Sequence, residues 1–382
     1  MATQTLKTDR NALLSKLSLA GNAVSSKELI PCFVNFLFTG TDIIAYDNTK
    51  GVRVQFETPF TGMVPGSLLT GLLSACSSEI VALTAKGDEL TITAGRSKMN
   101  LPLLPEEGFL FEFPTVTNKF QTVDLDDGFL AALQLCLVST MAEPAAQQFT
   151  GVTVKHNDVD GGLTLYSTDN ISITQISLLD HKVPSDHVPD YVLPGEFCKL
   201  VLLADNMIGG VPVEQGEGKE GNPQSTPKLR FGKDFVVATF GNGCQVCTRL
   251  FEDDGNINFE AAVAQTVDLD NLSVSDIPEE FDQALTRSSI IAASSQAPCT
   301  ITTTKKAMTL YTTSQIGEVK DALPFVGHDT VKADFDPDKI KRVLDVTNGI
   351  HITDRCVILT GGTEERRYYH FLSTVAGVAS QD

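Results

Sequence analysis

Several short stretches of the 382-residue chain carry side chains that could bind a metal or a phosphate. His156-x-Asp158-x-Asp160-Gly161 has the spacing that opens a calcium loop. That loop needs Asp at its first position and Glu at its twelfth, and His156 and Ser167 stand there instead, so a hairpin turn is the better account. Asp180, His181, Asp186, His187 and Asp190 offer the donors of a metal site, but a polar connector between a strand and a helix has the same composition. Cys244-x-x-Cys247 on a strand would point its thiols to opposite faces, and no second pair or nearby histidine completes a zinc site. Gly218-Lys219 lacks the spacing and the hydroxyl of a phosphate loop. Asp124, Asp126 and Asp127 precede a helix, whose positive end favours acids. No nucleophile–base arrangement can be argued from spacing. These residues predict a binding protein with no catalytic residue, metal or cofactor.

Composition narrows the class. A hydrophobic content of 42% makes the chain globular. No apolar run approaches the roughly 20 residues needed to cross a bilayer. The segment MATQTLKTDRNALL has no secretory h-region, which predicts a cytoplasmic protein without membrane contact. The eight cysteines mostly lie in apolar runs and read as small buried hydrophobes of a reducing compartment. A net charge of −19 argues, taken alone, against a nucleic-acid partner.

The elements that would position such residues come in threes. Gly161 to Gln175 alternates Leu163, Leu165, Ile171 and Ile173 with polar residues, and Ser167-Thr168-Asp169-Asn170 interrupts the pattern. That is strand, corner, strand. The same paragraph stands at Ile43–Gln55 and Met308–Lys320. Each copy is followed by a helix start with proline (Pro65, Pro194, Pro337) and then by an apolar strand pair broken at Gly95, Gly241 or Gly361. Each is preceded by a helical segment: Asp9–Ala20, Phe129–Met141 and Phe281–Ala293. Second helices are predicted over Ser67–Cys76, Glu196–Asn206 and Asp338–Val346, and a strand over Pro31–Leu37. The prediction is an α+β protein of three tandem domains, 1–122, 123–266 and 267–382.

Within that frame, Ala94-Gly95-Arg96-Ser97-Lys98-Met99-Asn100-Leu101-Pro102, with Phe109 beyond, resembles the end of the first domain of bacterial sliding clamps, the beta subunit of DNA polymerase III. Ser167-Thr168-Asp169-Asn170 resembles the turn of that family's second domain, and Thr286-Arg287-Ser288-Ser289-Ile290-Ile291 a helix of its third. The resemblance runs in order along nearly the whole chain. It implies three clamp domains, helices lining the inside and antiparallel sheets outside, closing as a homodimer into a ring around double-stranded DNA. The implied partners are a replicative polymerase and a clamp loader, and nothing is catalysed.

The resemblance also assigns residues. Met99 and Leu101 of one subunit would meet Ile290 and Ile291 of the other. Phe149, Thr168, Ile171, Ile173, Val263 and Leu372 would line a partner-peptide groove. Ordinary core packing is the competing account for both sets. Cations on or beside helices (Lys7, Arg10, Lys16, Lys27, Lys199, Lys339 and Arg342) would face DNA, with acids crowded elsewhere. Ile171-Ser172 replaces a His-Arg pair, Gln147 and Gln148 replace two tyrosines, and Gly195-Glu196 replaces a basic pair. These departures predict a divergent clamp, such as a phage-encoded one, whose groove prefers a different peptide. A clamp-fold adaptor that binds peptides without encircling DNA is the alternative.

Overall fold

The computed structural model describes residues 4–27, 30–117, 121–141, 147–157, 161–181, 191–209, 226–252, 257–293, 297–327 and 330–374. Asp158 and Asp160, Asp186, His187 and Asp190, and Gly218-Lys219 lie outside them. The chain forms two compact units, Met1–Asp126 with Glu196–Leu250, and Asp127–Gly195 with Phe251–Asp382. Seven α-helices are described: α1 (Arg10–Gly21), α2 (Gly66–Ser74), α3 (Asp127–Cys136), α4 (Gly195–Gly209), α5 (Phe259–Thr266), α6 (Phe281–Ala292) and α7 (Pro337–Lys341). With four antiparallel sheets, the class is α+β.

The first unit has a four-stranded sheet ordered Gln4–Asp9, Ile80–Lys86, Glu89–Ala94, Ser97–Pro102. Its eight-stranded sheet joins two distant runs of chain. Lys50–Gln55 pairs with Gln245–Arg249, in the register Gln245 to Arg53. The second unit has a nine-stranded sheet in which Gly151–His156, Leu163–Thr168, Ser172–Leu178, Arg366–Ser373 and Cys356–Gly362 are successive neighbours. Its four-stranded sheet is ordered Gly317–Pro324, Ala307–Ser314, Cys299–Thr303, Val331–Phe335.

All three repeated paragraphs are hairpins: Asp42–Tyr46 with Lys50–Gln55, Leu163–Thr168 with Ser172–Leu178, and Ala307–Ser314 with Gly317–Pro324. The first two turn through an asparagine in the left-handed region, Asn48 at φ 80° and Asn170 at φ 70°. Asparagine tolerates that backbone because its short polar side chain bonds locally. α1 begins where Asp9 accepts a hydrogen bond from the Ala12 amide at 2.7 Å, and it buries Leu13 and Leu17 completely. Each such leucine contributes roughly 1.5–3 kcal/mol by leaving water.

Four expectations need correction. Pro31–Val34 is a 3-10 turn, and the strand starts at Asn35, since proline fixes φ and cannot donate to a ladder. α3 stops at Cys136 and continues as a 3-10 turn over Leu137–Ser139, so the predicted helix to Met141 is too long. α7 ends at Lys341, giving way to a separate 3-10 turn at Leu344–Val346. α5 adds a helix where the repeat pattern predicts none, since its eight residues are a short apolar stretch at the end of a repeat.

α4 opens where Gly195 donates its amide to the Thr150 carbonyl at 2.9 Å. A Cβ at Gly195 would lie 2.6 Å from that same oxygen, a backbone atom that cannot rotate away. Gly195→Ala should therefore cost about 1–3 kcal/mol and lower the urea midpoint. An unchanged midpoint would show that the helix start can shift without cost.

Candidate partner-peptide groove

The turn after Leu163–Thr168 satisfies its backbone with its own side chains. Asp169 Oδ1 accepts from the amides of Ile171 (3.1 Å) and Ser172 (2.7 Å) and from Ser172 Oγ (2.9 Å). Thr168 Oγ1 accepts from the Asn170 amide at 3.1 Å and donates to the Ser172 carbonyl at 2.7 Å. This fixed corner leaves the Ile171 side chain 49% exposed. An apolar side chain held in water on a rigid turn is a ready contact for another apolar group.

The strand pairing decides which residues accompany it. Thr168 stands opposite Ile173, and Ile173 opposite Phe371. Directly paired residues share a face. Ile171, Ile173, Thr168 and Phe371 therefore lie on one side of the sheet. On that side α5, capped by Asn258 Oδ1 accepting from the Ala261 amide at 2.9 Å, lays down Val263. Val263, Cys356, Ile358 and Phe371 form a buried cluster, with Ile173, Val267, Leu269, Leu272 and Tyr369 packed at its margin. Beyond Val263 the strip opens into a cleft of about 400 Å³ lined by Tyr166, Gln175, Glu260, Val263, Ala264, Val267, Asp268 and Leu269. Tyr166 is stacked on Phe259, ring centroids 5.0 Å apart, which holds that wall rigid. Glu260 is bridged to Lys155 at 3.5 Å.

Four of the six assigned groove residues, Thr168, Ile171, Ile173 and Val263, lie along this strip, and Phe149 belongs to the 3-10 turn Gln147–Phe149. Ile173 and Phe149 are half-buried, while Thr168 and Val263 are buried. Leu372 is a correction. It pairs with Ser172, on the opposite face from Ile173, and is fully buried. A shift of one residue along a strand reverses the face, so Phe371 is the residue beside Ile173.

No protein-family model matches the chain. Solved structures do. The DNA polymerase III beta subunit of Thermotoga maritima matches with a TM-score of 0.79 at 16% identity, over 98% of this chain and 100% of that one. A DnaN sliding clamp from Bartonella birtlesii bound to griselimycin matches at 0.79 and 15% identity, and the DNA polymerase sliding clamp of Bacillus subtilis at 0.79 and 15%, each with the same coverage. The chain has the sliding-clamp fold. At these identities the likeness carries the fold and not the sites.

The cations assigned to DNA contact divide sharply within the clamp fold. Lys7 is exposed, on the edge strand Gln4–Asp9 and not on α1. Lys27 and Arg342 are exposed. The others have intramolecular partners. Arg10 donates to the Cys76 carbonyl, Lys16 to the Gln55 carbonyl at 2.9 Å, and Lys199 to Glu196 at 2.8 Å. Lys339 donates to Asp169 Oδ2. The solvent faces of the first two helices are neutral: Asn11, Ala12, Ser15 and Ser18 on α1, and Ser67, Leu68, Gly71 and Ser74 on α2. α2 therefore presents no charge, whereas α1 keeps the half-buried cations Arg10 and Lys16, whose partners are uncharged carbonyls, and has no acid.

Of the assigned subunit contacts, Met99 is half-buried and Leu101 buried on Ser97–Pro102, an edge strand. On α6, Ile290 is 66% exposed and Ile291 half-buried. The neighbouring strand Gly317–Pro324 is also a sheet edge, tied to α6 by Arg287 to Asp321 at 2.8 Å. Of the acidic and histidine cluster weighed as a metal site, Asp180 and His181 lie among the described residues. Asp180 is engaged by Arg366, whose Nε and Nη2 donate at 2.8 and 2.6 Å. Burial pushes the Cys244 thiol up to about 12.

On the helix side of the same sheet lies a chain of buried hydroxyls ending at His370. Ser139 Oγ is 3.0 Å from Ser172 Oγ and 2.8 Å from Thr174 Oγ1, which is 3.0 Å from His370 Nδ1. His370 is fully buried, and burial lowers its pKa to about 4, with Lys339 pushing the same way and Asp169 opposing. The unfolded chain then binds a proton near pH 6.5 that the folded chain refuses. Stability contributed by neutral His370 is complete above pH 6.5 and declines as pH falls from there towards 4, by about 3 kcal/mol in full. Urea titrations of the wild type should show this slope, and His370→Gln should remove it. The same slope in both proteins would place the titration elsewhere.

Proposed function

We propose that this chain is a DNA sliding clamp: two copies close head to tail into a ring, double-stranded DNA runs through it, and the groove tethers a replicative DNA polymerase and a clamp loader. The observation that carries the reading is the match to sliding clamps over 98% of this chain and the whole of theirs. Two features support it. The strip from Ile171 past Val263 into the cleft suits an extended peptide with apolar side chains. Both edge strands, Ser97–Pro102 and Gly317–Pro324, keep ladder groups free for another chain, with Ile290 exposed on the helix beside the second. Among the described residues no helix is long and apolar enough to cross a membrane.

The net charge of −19 fits this reading better than it fits a tight DNA binder. An enclosing ring needs no strong phosphate contacts, and weak ones slide more freely. The reading assigns no chemical step, so no residue is given a catalytic role. The uncharged face of α2 favours a second reading, an adaptor with the clamp fold that binds peptides without holding DNA.

Mass under native conditions and retention on DNA separate the two. The clamp reading expects a dimer that stays on nicked circles, once loaded, and escapes from linear ends. A lasting monomer would exclude the ring. Ile290→Asp should convert dimer to monomer, because an unpaired charge in a dry contact costs several kcal/mol. Sedimentation that stays dimeric would refute the assignment of Ile290. Reversing Lys27 and Arg342 to Glu should shorten retention on circles at low salt, whereas unchanged lifetimes would remove both residues from the DNA path.

A further inference from the structure

Lys339 is the one assigned DNA cation whose partner lies in the groove. Its side chain is 18% exposed, and that of Asp169 is 8%. Asp169 does two jobs with two oxygens. Oδ1 holds the amides of Ile171 and Ser172, and Oδ2 takes the Lys339 ammonium group. Lys339 sits on α7, 170 residues away along the chain, and α7 is itself fixed by Asp336 capping the Asp338 amide at 3.0 Å and by fully buried Ile340. The turn that presents Ile171 is therefore braced from outside its own hairpin. Ser172, the next residue, is held from behind through Ser139.

We infer that Lys339 is a positioning residue of the groove: its ammonium group anchors the Asp169 carboxylate, and through it fixes the turn that carries Ile171. The inference rests on the peptide-groove reading and assigns Lys339 to partner binding instead of to DNA. A turn held by its own hydrogen bonds alone can still swing as a body about the two strand ends. A carboxylate pinned between a rigid helix and two turn amides cannot, so the exposed isoleucine meets a ligand already in place. Arginine could keep such an anchor, since it retains charge and reach. Methionine keeps the reach and loses the charge.

The test uses the full-length protein and two measurements. The first is amide hydrogen exchange at Ile171 and Ser172, with Val152 and Leu165 as core references. The second is calorimetric binding of griselimycin, the ligand named for a matched clamp. Lys339→Met should speed exchange at Ile171 and Ser172, leave the references unchanged and weaken griselimycin about tenfold, and Lys339→Arg should recover most of both. Asp169→Asn keeps the Oδ1 acceptor and removes the charge, so it should match Lys339→Met. The double variant, which leaves no buried unpaired charge, should be no weaker than the poorer single.

Additive losses, or unchanged exchange at the two amides, would overturn the anchor. Faster exchange with unaltered griselimycin affinity would overturn the positioning role while leaving the groove reading intact. Griselimycin that binds the wild type without protecting the Ile171 and Ser172 amides would count against the groove reading itself, and the positioning role would fall with it.

Discussion

Antiparallel pairing between Ser172–Leu178 and Arg366–Ser373 is the constraint on which the second unit depends. It joins segments from distant parts of the chain and fixes, residue by residue, which side chains share a face. On one face it gathers Ile173, Phe371 and, through α5, Val263. On the other it gathers Ser172, Thr174 and His370 under α3. One strand pair thus separates an apolar strip from a buried polar layer. Lys50–Gln55 with Gln245–Arg249 makes the corresponding join in the first unit.

The two faces are stabilised by different physics. The strip works by removing apolar area from water, which is tolerant of shape and direction. The hydroxyl layer works by matched donors and acceptors, which tolerate very little error. Its cost is visible at His370, whose Nε2 has no hydrogen-bond partner and whose ring is held neutral. Asp169 stands where the two meet. Burial works to raise its pKa, yet bonds from Lys339 and Ser172 outweigh that and hold the carboxyl below its ordinary range.

Most of the repeating architecture was legible in the sequence, because period-two alternation and Asn or Gly corners are local signals. The three hairpins, α1 from its Asp9 cap, and α6 from Phe281 all stood close to where the residues predicted them. What lay beyond reach was non-local. Nothing in FLST says whether Phe371 or Leu372 faces the strip, since that follows from a partner strand nearly 200 residues earlier. The same holds for charge. Lys16 and Lys339 look free in the sequence, and each is committed to a partner that only folding supplies, whereas Lys199 pairs with Glu196 three residues back on the same helix. The uncharged face of α2 could have been anticipated, since its Gly, Ser and Thr residues are plain in the sequence.

Seven of the eight cysteines are buried, and Cys76 alone is half-buried. They are spread through both units: Cys32, Cys198, Cys244 and Cys247 in the first, Cys136, Cys299 and Cys356 in the second. An alkylating reagent can reach these sulfurs only when the surrounding layer opens, so each thiol is a built-in clock for its own neighbourhood. The order in which they become modified would map which parts of the molecule breathe together and which remain shut, without adding any label to the protein.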